Sequence, residues 1–275
     1  MSKYEEKQVK NNKNIAKDIN FKKSLGQNFL FDKNLLRAIA RDGMVSTGDT
    51  VLEIGAGAGT LTAILAEEAK QVVSFEIDKE LIPRLELVRD DHPNIEFHFQ
   101  DFMDVDIDKI GLDGARVVAN IPYYITTPII FKLIDHIDRF KSILVLIQKE
   151  VAERFAAPAG NKDYGITSVI LQSIFDVSIP RIVKKENFTP PPKIDSALCL
   201  LVPHDKYQIG DFVAFKKLVH ESFAMRRKTL VNNLTKSGWD KDSVLRALNS
   251  LNYSSMVRAE EITVSDYVKL YELLK

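Results

Sequence analysis

The chain has 275 residues, 45% of them hydrophobic and 28% charged. That composition excludes a disordered chain, and the length allows one large domain or a large plus a small one. Lysine plus arginine number 38, as do aspartate plus glutamate, so the formal net charge is zero; a uniformly basic nucleic-acid binder is excluded. The single cysteine, Cys199, rules out an internal disulfide and a cysteine-built zinc site. The five histidines show no i, i+4 pair, and no metal is expected. No apolar run reaches the roughly 18 residues of a membrane span. The lysine-rich N-terminus lacks the apolar stretch of a secretory signal. A soluble, cytoplasmic protein with no membrane partner is expected.

Residues 1–22 are polar, with lysines spaced along them, and read either as a solvated tail or as a basic N-terminal arm. Asp32 suits the N-cap of a helix carrying Leu35, Leu36 and Ile39, with Gly43 at its end. TVLEI, QVVSF, IEFHF, ARVVA and KSILVLIQ then read as strands separated by helices. That alternation predicts an α/β fold, a mostly parallel sheet with helices on both faces. A helix over residues 165–173, a strand near 175–182 and a strand over SALCLLVP follow. Two strands in succession predict an antiparallel edge, and bring the sheet to seven strands. NFTPPPKIDS, between them, breaks regular structure. From Asp211 the spacing is helical, with Phe212, Phe215, Leu218, Val219 and Phe223 on one face and weaker helices at 241–251 and 265–275. The expected domains are 1–22 as arm, 23–206 as the α/β domain and 207–275 as a small helical domain.

Four strand ends carry polar or glycine residues, and in a doubly wound sheet a ligand lies outside those ends. Gly55, Gly57 and Gly59 follow the first strand, where backbone can approach a ligand at a helix N-terminus; a purely structural turn competes with that reading. Glu76 ends the second strand and suits the hydroxyls of a ribose; a solvated acid is the alternative. Asp101 ends the third and suits an adenine amine; it also belongs to an acidic loop with Asp104, Asp106 and Asp108. Asn120, Ile121, Pro122 and Tyr123 follow the fourth. Pro122 stiffens the loop, Asn120 offers a carbonyl acceptor and Tyr123 a flat face, which suits a planar, amine-bearing base. A proline-stiffened turn with an exposed tyrosine is the simpler account.

Six stretches together, LGQNFL (25–30), EIGAGAG (53–59), FEID (75–78), NIPYYITTPII (120–130), FTPPPKIDS (188–196) and FAMRRKTLVNNL (223–234), resemble the class I S-adenosylmethionine-dependent methyltransferases. More narrowly, they resemble the small-subunit rRNA adenine N6-dimethyltransferases. The resemblance implies a Rossmann-like methyltransferase domain with S-adenosylmethionine as cofactor. It implies that Asn28 and Leu30 close over that cofactor, and that Gly55 and Gly57, Glu76 and Asp101 meet its methionine, ribose and adenine parts. Asn120 would lie between cofactor and target base, and Phe188 would stack on the target adenine opposite Tyr123. A core residue before a proline turn is the other reading of Phe188. The implied reaction is dimethylation of two adjacent adenosines in the 3′-terminal hairpin loop of small-subunit (16S) rRNA, on the immature 30S subunit, by a monomer. The large-subunit (23S) methyltransferases of macrolide resistance share the first five stretches. A non-catalytic ribosome-assembly factor and a nicotinamide-dependent oxidoreductase are weaker alternatives.

Neutrality conceals opposed patches. Residues 86–113 hold nine acids against two bases, and residues 204–236 hold seven bases against three acids. Within the latter, Arg226, Arg227 and Lys228, read as part of a helix, are the candidate phosphate contacts; a solvated helix face is the alternative.

Overall fold

Strands rich in Val, Ile and Leu, with apolar residues on both faces, must be covered on both sides. The computed structural model, which describes residue 22 and residues 25–275, shows them so. The expected arm falls almost wholly outside the described residues. The strands are β1 (Phe29–Leu30), β2 (Thr50–Ile54), β3 (Gln71–Phe75), β4 (Ile95–His98), β5 (Ala115–Ala119), β6 (Phe140–Gln148), β7 (Phe175–Val183), β8 (Phe188–Thr189) and β9 (Ser196–Pro203). Val51, Leu52, Val72, Val117, Ile143 and Val145 are all 0% exposed.

Seven strands form one sheet in the order β4-β3-β2-β5-β6-β9-β7. The pairs from β4 to β6 are parallel, and β6 pairs antiparallel with β9. The chain runs outward from β2 through β3 to β4, then returns to place β5 on the other side of β2. The crevice between the ends of β2 and β5 is therefore a topological switch point, where ligands enter such sheets.

Helix α1 (Lys33–Asp42) starts at Asp32, whose carboxylate accepts the Asn34 N–H at 2.8 Å. Gly43 follows it, but in an ordinary right-handed conformation; the left-handed residue is Met44. Gly43 is required instead by packing, since a Cβ there would lie 3.0 Å from Val118. Helices α2 (Thr60–Glu68), α3 (Ile82–Asp91) and α4 (Thr126–Ile134) connect the parallel strands.

The chain divides into two compact units, one of residues up to Lys149 with Ser178–Val202, the other of Glu150–Val177 with Pro203–Lys275. The second contains nearly all of α5 (Lys149–Phe155), then α6 (Ile166–Gln172), α7 (Phe212–Ser222), α8 (Leu230–Lys236), α9 (Lys241–Ser250) and α10 (Val264–Leu274). The boundary expected after residue 206 lies close to Pro203, yet segment 150–177 also belongs to this unit. Tyr164 shows why. Its ring packs against Phe223 and its hydroxyl donates to the Ile262 carbonyl at 2.9 Å.

Arg226, Arg227 and Lys228 lie in an exposed turn between α7 and α8, not in a helix. The reason is Asn233, 1% exposed, whose amide donates to the carbonyls of Ser222 and Met225 at 2.6 and 3.3 Å. Those bonds cap the end of α7 and fix the turn. Among the described residues no helix is long and apolar enough to cross a membrane.

Candidate active site

A cleft with about 1080 Å³ of empty space opens at the switch point. Its floor is the glycine turn between β2 and α2. Gly57 has φ +56°, and a Cβ there would lie 2.6 Å from the Phe29 ring. Only glycine tolerates both that backbone and that ring above it. A Cβ on Gly55 would lie 3.3 Å from the Asn120 carbonyl, so the turns after β2 and β5 nearly touch. β1 is tied to the start of α2 by the Thr60 hydroxyl, which donates to the Leu30 carbonyl at 2.7 Å.

Glu76, 6% exposed, accepts the Gly57 N–H at 2.7 Å and the Asp78 N–H at 2.8 Å. Burial pushes its pKa up; these backbone donors oppose the rise without cancelling it. The carboxylate thus links the glycine turn to the loop after β3 and faces the cleft. In that loop Asp78 is 3% exposed, and burial would raise its pKa. Bonds from Lys22 at 2.6 Å and Gln27 at 2.8 Å outweigh burial and hold it below the usual carboxylate value.

Asp101, half-buried, caps the Met103 N–H at 2.8 Å. Lys132 on α4 straps the same loop. Its ammonium donates to the carbonyls of Met103 and Val105 at 2.7 and 2.6 Å and lies 5.4 Å from the centre of the Phe102 ring. Burial lowers its pKa despite the pull of Asp104, Asp101 and Asp106.

Asn120 donates to the Asn28 carbonyl at 3.2 Å, and Asn28 donates to the Gly26 carbonyl at 3.0 Å. The Tyr123 hydroxyl shares a 2.6 Å bond with Ser196, which is fully buried on β9. Burial raises the Tyr123 pKa, so it stays a neutral phenol. Beside it Tyr124, 63% exposed, lines the cleft.

The structure brings Asn28, Leu30, Gly55, Gly57, Glu76 and Asp101 to this one cleft, with Asn120, Pro122 and Tyr123. It does not bring Phe188. That side chain is 3% exposed and packs in a core cluster with Leu30, Leu36 and Val183, because β8 pairs with β1 at Leu30. Phe188 therefore sits in the core here, beside a β1–β8 pairing of two residues, too short to carry a periodicity. Also missed were Asp78, Lys132 and Ser196, whose partners are distant in sequence and leave no local spacing. Among the described residues no group of three His, Cys, Asp or Glu side chains is placed to hold a metal ion.

A mostly parallel sheet with an antiparallel β6–β9 pair, glycines directly after β2 and carboxylates beyond β3 and β4, defines a class I methyltransferase fold. The model of the family "Ribosomal RNA adenine dimethylase" matches residues 18–275. The chain belongs to that family of rRNA-methylating enzymes, as its motifs implied. The ribosomal RNA small subunit methyltransferase A of Ligilactobacillus salivarius is 42% identical, over 93% of this chain and 90% of its own. The protein of that name from Clostridioides difficile is 38% identical, over 95% and 94%. Among solved structures, a dimethyladenosine transferase from Plasmodium falciparum superposes with TM-score 0.77 at 29% identity, covering 88% of this chain and 95% of that one. The 23S rRNA methyltransferase ErmE gives 0.73 at 26%, covering 90% and 99%.

Proposed function

We propose that this chain transfers methyl groups from S-adenosylmethionine to two adjacent adenosines in the 3′-terminal hairpin loop of 16S rRNA. It acts as a cytoplasmic monomer on the immature 30S subunit. The observation that carries this reading is one cleft holding the glycine turn, Glu76, Asp101 and the Asn120–Tyr123 loop. Gly55 and Gly57 leave room that a side chain would fill, and the two carboxylates are acceptors suited to ribose hydroxyls and an adenine amine. When bound, S-adenosylmethionine supplies an already activated methyl group, so in-line transfer to an amine needs positioning more than a strong base.

The residues of this chain supply that positioning. Asn120 and the carbonyl of Ile121 accept the two hydrogens of the target amine and localise its lone pair. The flat face of Tyr123, anchored through Ser196, supports the base, which must leave its stack to enter. Among the described residues no histidine lines the cleft; the proton lost from nitrogen leaves to water after transfer. Asn120→Ala should keep cofactor affinity within about twofold and lose at least ~100-fold in kcat. Near-normal methylation by that variant would overturn the mechanism.

Small-subunit RNA is preferred because the curated relatives quoted above carry that name at 38 to 42% identity. The likeness to ErmE, at 26%, favours the large-subunit alternative. Immature small and large subunits, each offered separately with labelled cofactor, distinguish the two. The expected result is two dimethyladenosines near the 3′ end of 16S rRNA by mass spectrometry. Label on the large-subunit RNA alone refutes the proposal.

A further inference from the structure

Asp78 does not line the cleft, yet it is a nearly buried carboxylate with three donors around it. Burying a charge is costly unless it is fully paired, so such a group needs a structural reason. One oxygen accepts the Lys22 ammonium at 2.6 Å and the Glu80 N–H at 3.1 Å. The other accepts the Gln27 amide at 2.8 Å. Lys22 is drawn in further by Glu80, at 3.0 Å, and its own N–H donates to the Gln27 side chain at 2.8 Å. These contacts fasten Gln27, and with it the LGQNFL segment.

That segment forms one wall of the cleft, through Leu25, Gln27, Asn28 and Leu30. At the same time the backbone N–H of Asp78 donates to Glu76 Oε1. A single residue therefore holds the N-terminal wall by its side chain and the cleft carboxylate by its backbone. We infer that Asp78 is a positioning residue that couples ribose recognition at Glu76 to fastening of the N-terminal wall, and so sets how long the cofactor stays bound. The inference rests on the reading that Glu76 receives the ribose. Hydroxyls that engage Glu76 order its loop, and an ordered loop keeps the Asp78 carboxylate aligned with Gln27 and Lys22. Removal of the fastening frees the wall, and the ribose hydroxyls then order less.

The test uses the full chain and the cofactor product S-adenosylhomocysteine, with its 2′-deoxy form as the probe of ribose contact. Asp78→Asn keeps the shape and removes the charge. Dissociation of S-adenosylhomocysteine should become about 10-fold faster, the scale of a lost hydrogen bond to a charged group. The single-turnover methylation rate at saturating cofactor should stay within about twofold, a split that general loosening of the fold would not give. The affinity lost on removing the 2′-hydroxyl should be smaller in Asp78→Asn than in the parent, by at least ~3-fold, because coupled contacts are not additive. Lys22→Met, on a half-exposed residue outside the cleft, should shift the dissociation rate and the 2′-hydroxyl effect the same way by less, again with little change in the single-turnover rate, and serves if Asp78→Asn does not fold. Parental dissociation rates in both variants, or strict additivity with the 2′-deoxy probe, overturn the coupling alone. Equal affinity of the parent for the two probes overturns the ribose reading of Glu76, and the coupling with it.

Discussion

Glu53, the last polar residue before the glycine turn, is 0% exposed and accepts the hydroxyls of Thr62 and Ser74 at 2.6 Å each. Both bonds go to one oxygen, and among the described residues Oε1 has no hydrogen-bond partner. Burial wins over the two hydroxyls and, with the charge of Glu76 nearby, pushes the carboxyl up to about 7. An unfolded chain releases that proton near pH ~4.3. The folded form therefore holds one more proton than the unfolded form between the two values. Its stabilising contribution is complete below the lower value, falls as pH rises through the upper one, and is flat beyond. Glu53→Gln, neutral at every pH, should lose this slope. At about pH 8 it should be more stable than the parent, by roughly 3 to 4 kcal/mol, and the two should converge near pH ~4. Denaturant unfolding at both values checks it; an identical slope in the variant assigns the titration to another group.

At the scale of elements, the cleft is held by connections that cross the sheet's edge rather than by the strands alone. The strap from α4 to the Asp101 loop is one. Lys132 gives up hydration to donate to two carbonyls, and the Phe102 ring takes part of its charge. Lys132→Met keeps the stem and drops the donors, so the loop loses its register. The KM for S-adenosylmethionine should rise about 5- to 10-fold with kcat little changed, checked by calorimetric titration alongside steady-state rates. Unchanged affinity would detach α4 from cofactor binding. The same contrast explains what could be read in the sequence. Gly55, Glu76, Asp101 and Asn120 were legible because each lies at or just beyond the end of a strand-like stretch, and parallel topology puts all such ends on one edge. β1 and β8 were not, because two residues carry no periodicity. Lys132 and Asp78 were not, because their partners lie far off in sequence or on the backbone. Phe188 before a proline reads the same whether it faces core or ligand. The Arg226–Lys228 turn has no local signature, because its break is made by Asn233 from the following helix.

Over the whole molecule, a net charge of zero is made of charges in different circumstances. Much of the acidic stretch 86–113 is neutralised within the chain. Glu86 pairs with Arg89, Asp106 with Lys109 at 2.9 Å, and Asp108 and Asp113 share Arg139. Arg226, Arg227 and Lys228 are exposed, and among the described residues no ion pair engages them; Arg226 donates only to the Lys162 carbonyl, at 3.2 Å. Cations left without carboxylates are the ones whose charge reaches a polyanion, and each phosphate they meet releases counterions. Replacing all three by glutamine should leave S-adenosylhomocysteine affinity unchanged, since the turn belongs to the other compact unit from the cleft. RNA affinity should fall, and the slope of log affinity against log salt should flatten by about 2, at ~0.7 per contact with single-stranded RNA. Filter binding of a 3′-terminal 16S rRNA fragment across roughly 50 to 200 mM salt measures both quantities. Because phosphate contacts carry no base information, the loss should be equal for a fragment whose two target adenosines are replaced. A parental salt slope in the triple variant would leave these charges facing only water, and the RNA surface would then have to be sought among the remaining basic residues of that unit.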